Sequence, residues 1–378
     1  MNVLFVATQD DHIYKFHVPF MNWFKEKGFE VHIATNFLDY KAELEELGFI
    51  LHQIDFSRNP LSKNNIKAIS QVRKLLRGNP FSLIHVNTPI AAFITRFVAN
   101  KGKIKPIVYT AHGFHFYKGA PIINWFLYYP LEKLAAKWTD ALITMNEEDY
   151  LAAQKLMQKT RGKAYIVHGV GVDLGKYKKD DKARYQKRRE LNIDEDQIVL
   201  LSIGEINKNK NQKQVVEAIS LLPVDIKHKI VYIIAGKGEQ EREVKKLTTK
   251  YDLDKQVVFL GYSEDIPSLI NAADIILSTS YREGLPKNVM EAMASEKSVV
   301  GTDVRGNRDL IKQGETGLLI SVGDYIATAD AITKLITDKE LFLDIEKTAK
   351  EYVEQYSLGN VLKEMADIYK KIFGSYKE

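Results

Sequence analysis

Two successive series of short apolar runs, separated by stretches of helical periodicity, constrain this chain more than any other feature of its sequence. The first series occupies residues 3–7, 31–35, 83–86, 107–110 and 141–145; the second occupies 198–203, 230–235, 257–260, 275–278 and 299–302. Runs this short, rich in Val and Ile, suit strands buried on both faces. Their alternation with helical segments argues for parallel, doubly wound sheets covered by helices. A chain of 378 residues is too long for a typical single domain. We therefore expect an α/β protein of two Rossmann-like domains, over residues 1–172 and 173–359. The stretch from His168 to Asp173 lies between the two series, and the charged segment 176–189 reads as a solvated linker and helix. Apolar residues at helical spacing predict a closing helix at about residues 360–378.

Composition narrows the function classes. An apolar fraction of 45% is ordinary for a globular protein, and a net charge of +5 does not require nucleic acid but permits an anionic lipid surface. The absence of cysteine excludes disulfides and thiol catalysis. The chain opens directly on an apolar run without the pattern of a signal peptide, and no segment reaches the roughly 18 uncharged apolar residues of a spanning helix. The expected location is cytoplasmic, peripheral at the inner membrane face. Neither domain has a G-x-G-x-x-G turn after its first strand: Thr8-Gln9-Asp10-Asp11 stands in one, Gly204-Glu205-Ile206-Asn207 in the other. A dehydrogenase is disfavoured.

Open parallel sheets bind ligands beyond the carboxyl ends of their strands, so the loops there are where chemistry is sought, and two facing domains are expected to form a cleft. After the run 275–278 comes Glu283-Gly284-Leu285-Pro286-Lys287-Asn288-Val289-Met290-Glu291. Pro286 suits a first helical position. Unpaired N–H groups near Gly284 and Leu285 could then donate to an anionic ligand. Eight residues of helix span roughly 12 Å, the scale of a nucleoside diphosphate sugar. By spacing alone, a loop glutamate followed by a solvated helix glutamate is the simpler account.

The run Ser278-Thr279-Ser280-Tyr281-Arg282-Glu283-Gly284-Leu285-Pro286, continuing through Glu291-Ala292-Met293-Ala294, resembles the signature of retaining glycosyltransferases of family four, which have the GT-B fold. The resemblance covers nearly the whole chain. It implies that Glu283 holds the transferred sugar and Glu291 the ribose of the donor, with Gly284, Leu285, Pro286 and Lys287 at the donor between them. It further implies a terminal helix that crosses back onto the first domain. Gly204 and Lys210 match a donor-side glycine and a diphosphate-binding lysine, but Glu205 occupies the place where the family commonly has an arginine. Arg305, in a loop after another strand, is the expected replacement cation. Gly236 and Gly261 resemble donor-side glycine loops, although tight turns explain them equally well.

In the first domain His112, in Tyr109-Thr110-Ala111-His112-Gly113, matches the family histidine beside the transferred sugar and takes a positioning or transition-state role. His115 lies among aromatic residues, where packing also accounts for it. The loop Asp10-Asp11-His12-Ile13-Tyr14-Lys15-Phe16-His17 is dense in ionisable and aromatic groups, and Asp11, His12, His17, His115 and Lys118 are the expected acceptor contacts. These segments resemble the capsule, exopolysaccharide and glycan-assembly branch, whose acceptors are typically polyprenyl-diphosphate-linked sugars. Phe114, Phe116, Tyr117, Trp125, Phe126, Tyr128 and Tyr129, with Lys118, Lys133 and Lys137, fit an interfacial surface or a core-facing helix.

The implied reaction moves a hexose or N-acetylhexosamine from a UDP-sugar with retention of configuration. No cofactor is expected. The D-x-D spacings at Asp194-Glu195-Asp196 and Asp252-Leu253-Asp254 read as solvated caps in charged connectors, and no required metal is expected. A sugar-nucleotide epimerase of the same architecture, or a non-catalytic sugar-nucleotide-binding subunit, is the alternative. Donor sugar, linkage and oligomeric state are not legible.

Overall fold

The computed structural model describes residues 1–374. It divides into two compact units, Met1–Val170 together with the chain from Gly359 onward, and Gly171–Leu358. Residues 375–378 of the expected terminal helix lie outside the described residues.

The first unit carries seven parallel strands: β1 (Asn2–Gln9), β2 (Glu30–Asn36), β3 (Ile50–Gln53), β4 (Phe81–Asn87), β5 (Ile107–Thr110), β6 (Ala141–Thr144) and β7 (Lys163–Ile166). Their order is β3-β2-β1-β4-β5-β6-β7. The central strands are apolar and fully buried, as at Val3–Ala7, because helices cover both faces. The edge strands β3 (ILHQ) and β7 (KAYI) have no fully buried residue. Their mixed composition hid them from the apolar pattern, since an edge strand needs little burial. The terminal helix Leu358–Gly374 packs here: Tyr369 meets Phe24 at a 4.7 Å ring separation and its hydroxyl lies 2.9 Å from His85 Nδ1.

The second unit has six parallel strands: β8 (Ile198–Ile203), β9 (Ile230–Ala235), β10 (Val257–Gly261), β11 (Ile275–Ser278), β12 (Ser298–Thr302) and β13 (Leu318–Ile320), in the order β10-β9-β8-β11-β12-β13. Val172 N–H donates to Tyr356 O and Leu358 N–H to Val172 O, both at 2.9 Å, which ties the two ends of this unit together. Gly171, at φ +79°, passes so close that a Cβ would lie 2.7 Å from Leu358 Cα.

The charged segment 176–189 is only partly the solvated linker its composition suggests. Within the helix Asp181–Glu190, Arg188 is fully buried. Arg184 and Arg188 each place an Nη2 atom 2.7 Å from a different carboxylate oxygen of Asp274, and Val199 N–H donates to the same group. The residue just before β11 thus anchors this helix to the sheet. Charge density in the sequence did not distinguish paired arginines from solvated ones.

Candidate functional site

In an open sheet the crevice opens where strand order reverses, because the loops there leave in opposite directions. The second sheet reverses between β8 and β11, so the loops after these strands are the ones placed to bind. They are stitched together. Tyr281 N–H donates to Asn209 O at 2.8 Å, Asn209 Nδ2 donates to Arg282 O at 3.1 Å, and Thr279 Oγ1 donates to Lys210 O at 3.1 Å. Lys210 Nζ then lies 2.7 Å from Glu283 Oε1, and Ser280 Oγ donates to that same oxygen at 2.6 Å. Gly204 beside this lysine holds φ +139°, a conformation that side-chain-bearing residues rarely adopt. A carboxylate with one oxygen held by a cation and a hydroxyl is rigidly aimed.

Arg305, the expected replacement cation, lies in the loop after β12. It is 5% exposed, and its Nε donates to the Glu283 carbonyl at 3.1 Å, so it clamps the main chain that carries the glutamate. Next to it Gly306, at φ +80°, seats this loop against Gly284, whose carbonyl oxygen would be 2.5 Å from a Cβ. Glu205 is exposed, and its Oε2 accepts from Asn207 Nδ2 at 2.9 Å. Pro286 is the N-cap of the helix Lys287–Ala294 and not its first residue, because its ψ of 115° is extended. Leu285 and Lys287 flank it at the same helix start.

Glu291 is buried on the inner side of that helix. Lys287 Nζ lies 3.7 Å from its Oε1, and the Tyr177 hydroxyl hydrogen-bonds its carboxylate. Burial pushes the Glu291 carboxyl up from its ordinary value, against the opposing pull of Lys287. Burial and the neighbouring carboxylate likewise push the Tyr177 phenol up. Tyr177 and Ser280 were missed as site residues; a lone aromatic inside a charged segment was the available signal for the former. Gly236 and Gly261 have structural reasons to lack a side chain. A Cβ at Gly236 would fall 1.9 Å from Gly204 O, and Gly261 holds φ +76° in a bridge to Gly236.

The first sheet reverses between β1 and β4. His12 and His17 follow β1, and His112 follows β5. The structure gathers all three: ring centroids are 4.4 Å apart for His12 and His112, 5.3 Å for His17 and His112, and 5.1 Å for His12 and His17. His85 on β4 lies beneath, 5.9 Å from His17, with Nε2 2.7 Å from Thr110 Oγ1. Burial holds the imidazoles of His12 and His85 down to about 3, helped by Arg58 at His12 and His112 at His85. Those of His17 and His112 are pushed down by burial and then by His12.

The expected acceptor contacts do not all reach a surface. His17 is 1% exposed and belongs to the core. Asp11 pairs with Arg58 at 3.6 Å. His115 stacks on Tyr128 at 4.5 Å and lines an apolar cavity of about 370 Å³ with Leu61, Ile66, Phe93, Phe116 and Leu127. Lys118 is exposed, its N–H donating to Glu148 Oε1 at 2.6 Å. The aromatic segment becomes the helix Ile122–Ala136, buried at Glu132, Ala135 and Ala136. Its opposite face leaves Ile122, Ile123, Phe126, Leu127, Leu131 and Leu134 exposed. Among the described residues, no helix is long and apolar enough to cross a membrane.

Comparison with known proteins places this arrangement. Residues 183–352 match the family described as "Glycosyl transferases group 1", and residues 2–146 match "Glycosyl transferase 4-like". Over 370 residues the chain is 38% identical to EpsD of Bacillus subtilis (strain 168), assigned as a glycosyltransferase, spanning 97% of this chain and 96% of that protein. The chain belongs to glycosyltransferase family four. Members resembling it include an Escherichia coli UDP-Gal:alpha-D-GlcNAc-diphosphoundecaprenol alpha-1,3-galactosyltransferase, 25% identical over 314 residues, or 82% of this chain and 81% of that one. The crystal structure of Anabaena HepE in complex with UDP and glucose superposes with a TM-score of 0.82 at 19% identity, over 98% of this chain and all of that one. Its fold is that of the family, GT-B. Family membership makes this chain a glycosyltransferase.

Proposed function

We propose that the protein transfers a hexose or N-acetylhexosamine from a UDP-sugar, with retained anomeric configuration, to a polyprenyl-diphosphate-linked sugar at the inner face of the cell membrane. The observation that carries this reading is the carboxylate of Glu283, aimed by Lys210 and Ser280 where the second sheet reverses its strand order. Glu283 takes the hydroxyls of the transferred sugar and Glu291, backed by Tyr177, those of the ribose. Lys210, Lys287 and the N–H groups near Gly284 and Leu285 stabilise the departing diphosphate. In the reaction the bond from C1 to the β-phosphate oxygen breaks, and a bond from the acceptor oxygen to C1 forms on the same face. The acceptor proton passes to the leaving phosphate oxygen. His112 positions the reacting sugar. Glu283 and Glu291 serve separate parts of the donor, so they do not act as a glycosidase-type pair.

The acceptor class is supported by a relative named for a GlcNAc-diphosphoundecaprenol acceptor and by another named for an N,N'-diacetylbacillosaminyl-diphospho-undecaprenol acceptor. An exposed apolar helix face flanked by Lys118, Lys133 and Lys137, beside an apolar cavity, suits a lipid surface and isoprenoid units. No cofactor or donor-site metal is needed where lysines and main-chain N–H groups meet the diphosphate. The test is release of UDP or GDP from a panel of nucleotide sugars, with and without lipid-linked acceptors. Acceptor-dependent release is expected; no release from any combination rejects the transfer, and donor interconversion without acceptor would indicate an epimerase.

A further inference from the structure

His12, His17 and His112 come from two separate loops, yet each brings one ring nitrogen within 4.8 Å of those of the other two. We propose that these three histidines form a site for one divalent transition-metal ion of the zinc class. A tetrahedral ion with Zn–N of about 2.0–2.1 Å holds its ligand nitrogens about 3.3 Å apart and its imidazole centroids about 5 Å apart. The observed centroid separations of 4.4, 5.1 and 5.3 Å bracket that spacing, so small ring rotations close the site.

The second observation is what these nitrogens lack. His12 Nε2, both nitrogens of His17 and His112 Nε2 are buried without a hydrogen-bond partner. Buried polar atoms are normally paired, and this fold can pair them: His85, in the same cluster, has one nitrogen on Thr110 and the other on Tyr369. Four orphaned nitrogens on three adjacent rings mark a place for a ligand that accepts lone pairs. The donor set is three imidazoles with no carboxylate or thiolate in the group, which suits zinc and its neighbours and not the oxygen-seeking Mg²⁺ or Ca²⁺. Three protein ligands leave a fourth position for water. The nearby Arg58 guanidinium is offset by Asp11 at 3.6 Å. An ion here would hold the His112 ring in place; that consequence rests on the proposed function, whereas the binding does not.

The test uses the full chain, freed of metal by a chelator, then titrated with ZnCl₂ by calorimetry and with CoCl₂ by visible absorption. One ion per chain with Kd of about 1 µM or tighter, and the intense bands of tetrahedral Co²⁺, are expected. His17→Gln and His112→Gln should each weaken binding by about 100-fold or more. His32→Gln, which breaks the separate His32–His52 pair at 2.8 Å, should leave it unchanged. Absence of saturable binding, as when water alone fills the cluster, overturns the proposal; so does binding lost in His32→Gln and kept in His112→Gln. Should His17→Gln fail to fold, the partly exposed His112 decides the outcome. Donor binding measured on the same samples separates the two proposals: intact zinc affinity without nucleotide-sugar binding counts against the function alone.

Discussion

Lys210 Nζ stands 2.7 Å from Glu283 Oε1, so a cation from the loop after β8 and a carboxylate from the loop after β11 neutralise each other at the point of strand reversal. Each charge sets the direction of the other. Lys210→Met should therefore impair both diphosphate stabilisation and the aim of Glu283, lowering turnover by about 10²–10³-fold. Glu283→Gln should lower turnover comparably while the protein stays folded. Steady-state UDP release with circular dichroism on the same samples checks both; wild-type turnover in Lys210→Met removes the assigned clamp.

Glu291 presents the opposite balance between function and stability. Its folded pKa is raised by burial, so between the unfolded and folded values the folded state keeps a proton that the unfolded state has released. Stability associated with this group is present below the unfolded value and is lost as pH rises through the folded one. Glu291→Gln should thus raise the thermal midpoint at pH 7.5 and have little effect near pH 4. The same substitution should weaken UDP-sugar binding by about tenfold or more, through lost charge-assisted bonds.

Asp274 is the shared partner of Arg184 and Arg188, the latter fully buried. Asp274→Asn leaves that guanidinium without its countercharge. A loss of about 3–5 kcal/mol in the second unit follows, measurable by urea unfolding. A replacement that costs under about 1 kcal/mol would show that the helix Asp181–Glu190 is held by its apolar contacts instead.

The first unit should be acid-labile when free of metal. His12 and His85 are held near 3 by burial, while unfolded histidine protonates near 6.5. Between those values the unfolded state binds more protons, so stability is full above about pH 6.5 and falls as pH drops, by about 1 kcal/mol per pH unit for each. All three tryptophans, Trp23, Trp125 and Trp138, lie in this unit. Their fluorescence during denaturation at pH 7.5 and 5.5 reads the effect; equal midpoints contradict it.

Membrane association is expected to depend on the exposed face of the helix Ile122–Ala136. Replacing Ile122 and Phe126 by serine removes two exposed apolar side chains, each contributing about 1.5–3 kcal/mol when fully buried. Vesicle sedimentation should fall at least tenfold with the fold unchanged. Neutralising Lys118, Lys133 and Lys137 should weaken binding to anionic vesicles; unchanged binding argues against the basic patch.

Much of this protein was legible in its sequence because the relevant signals are local. Short runs rich in Val and Ile announced ten of the strands, and the segment from Ser278 to Ala294 carried the family signature. Edge strands β3 and β7 were not legible, since exposure to solvent frees them from an apolar pattern. Side-chain partnership was settled only by tertiary structure. Arg305 serves the Glu283 main chain, Arg188 is buried against Asp274, Tyr177 reaches Glu291, and His17 lies in the core beside His12 and His112. Residue type sets what a group can do, but burial and partners depend on which distant loops each sheet brings to its own edge. The family and the two parallel-sheet α/β architecture were thus carried by local sequence signals. The charge clamp around Glu283 and the histidine cluster exist only once strands β8 with β11, and β1 with β4 and β5, lie in one sheet.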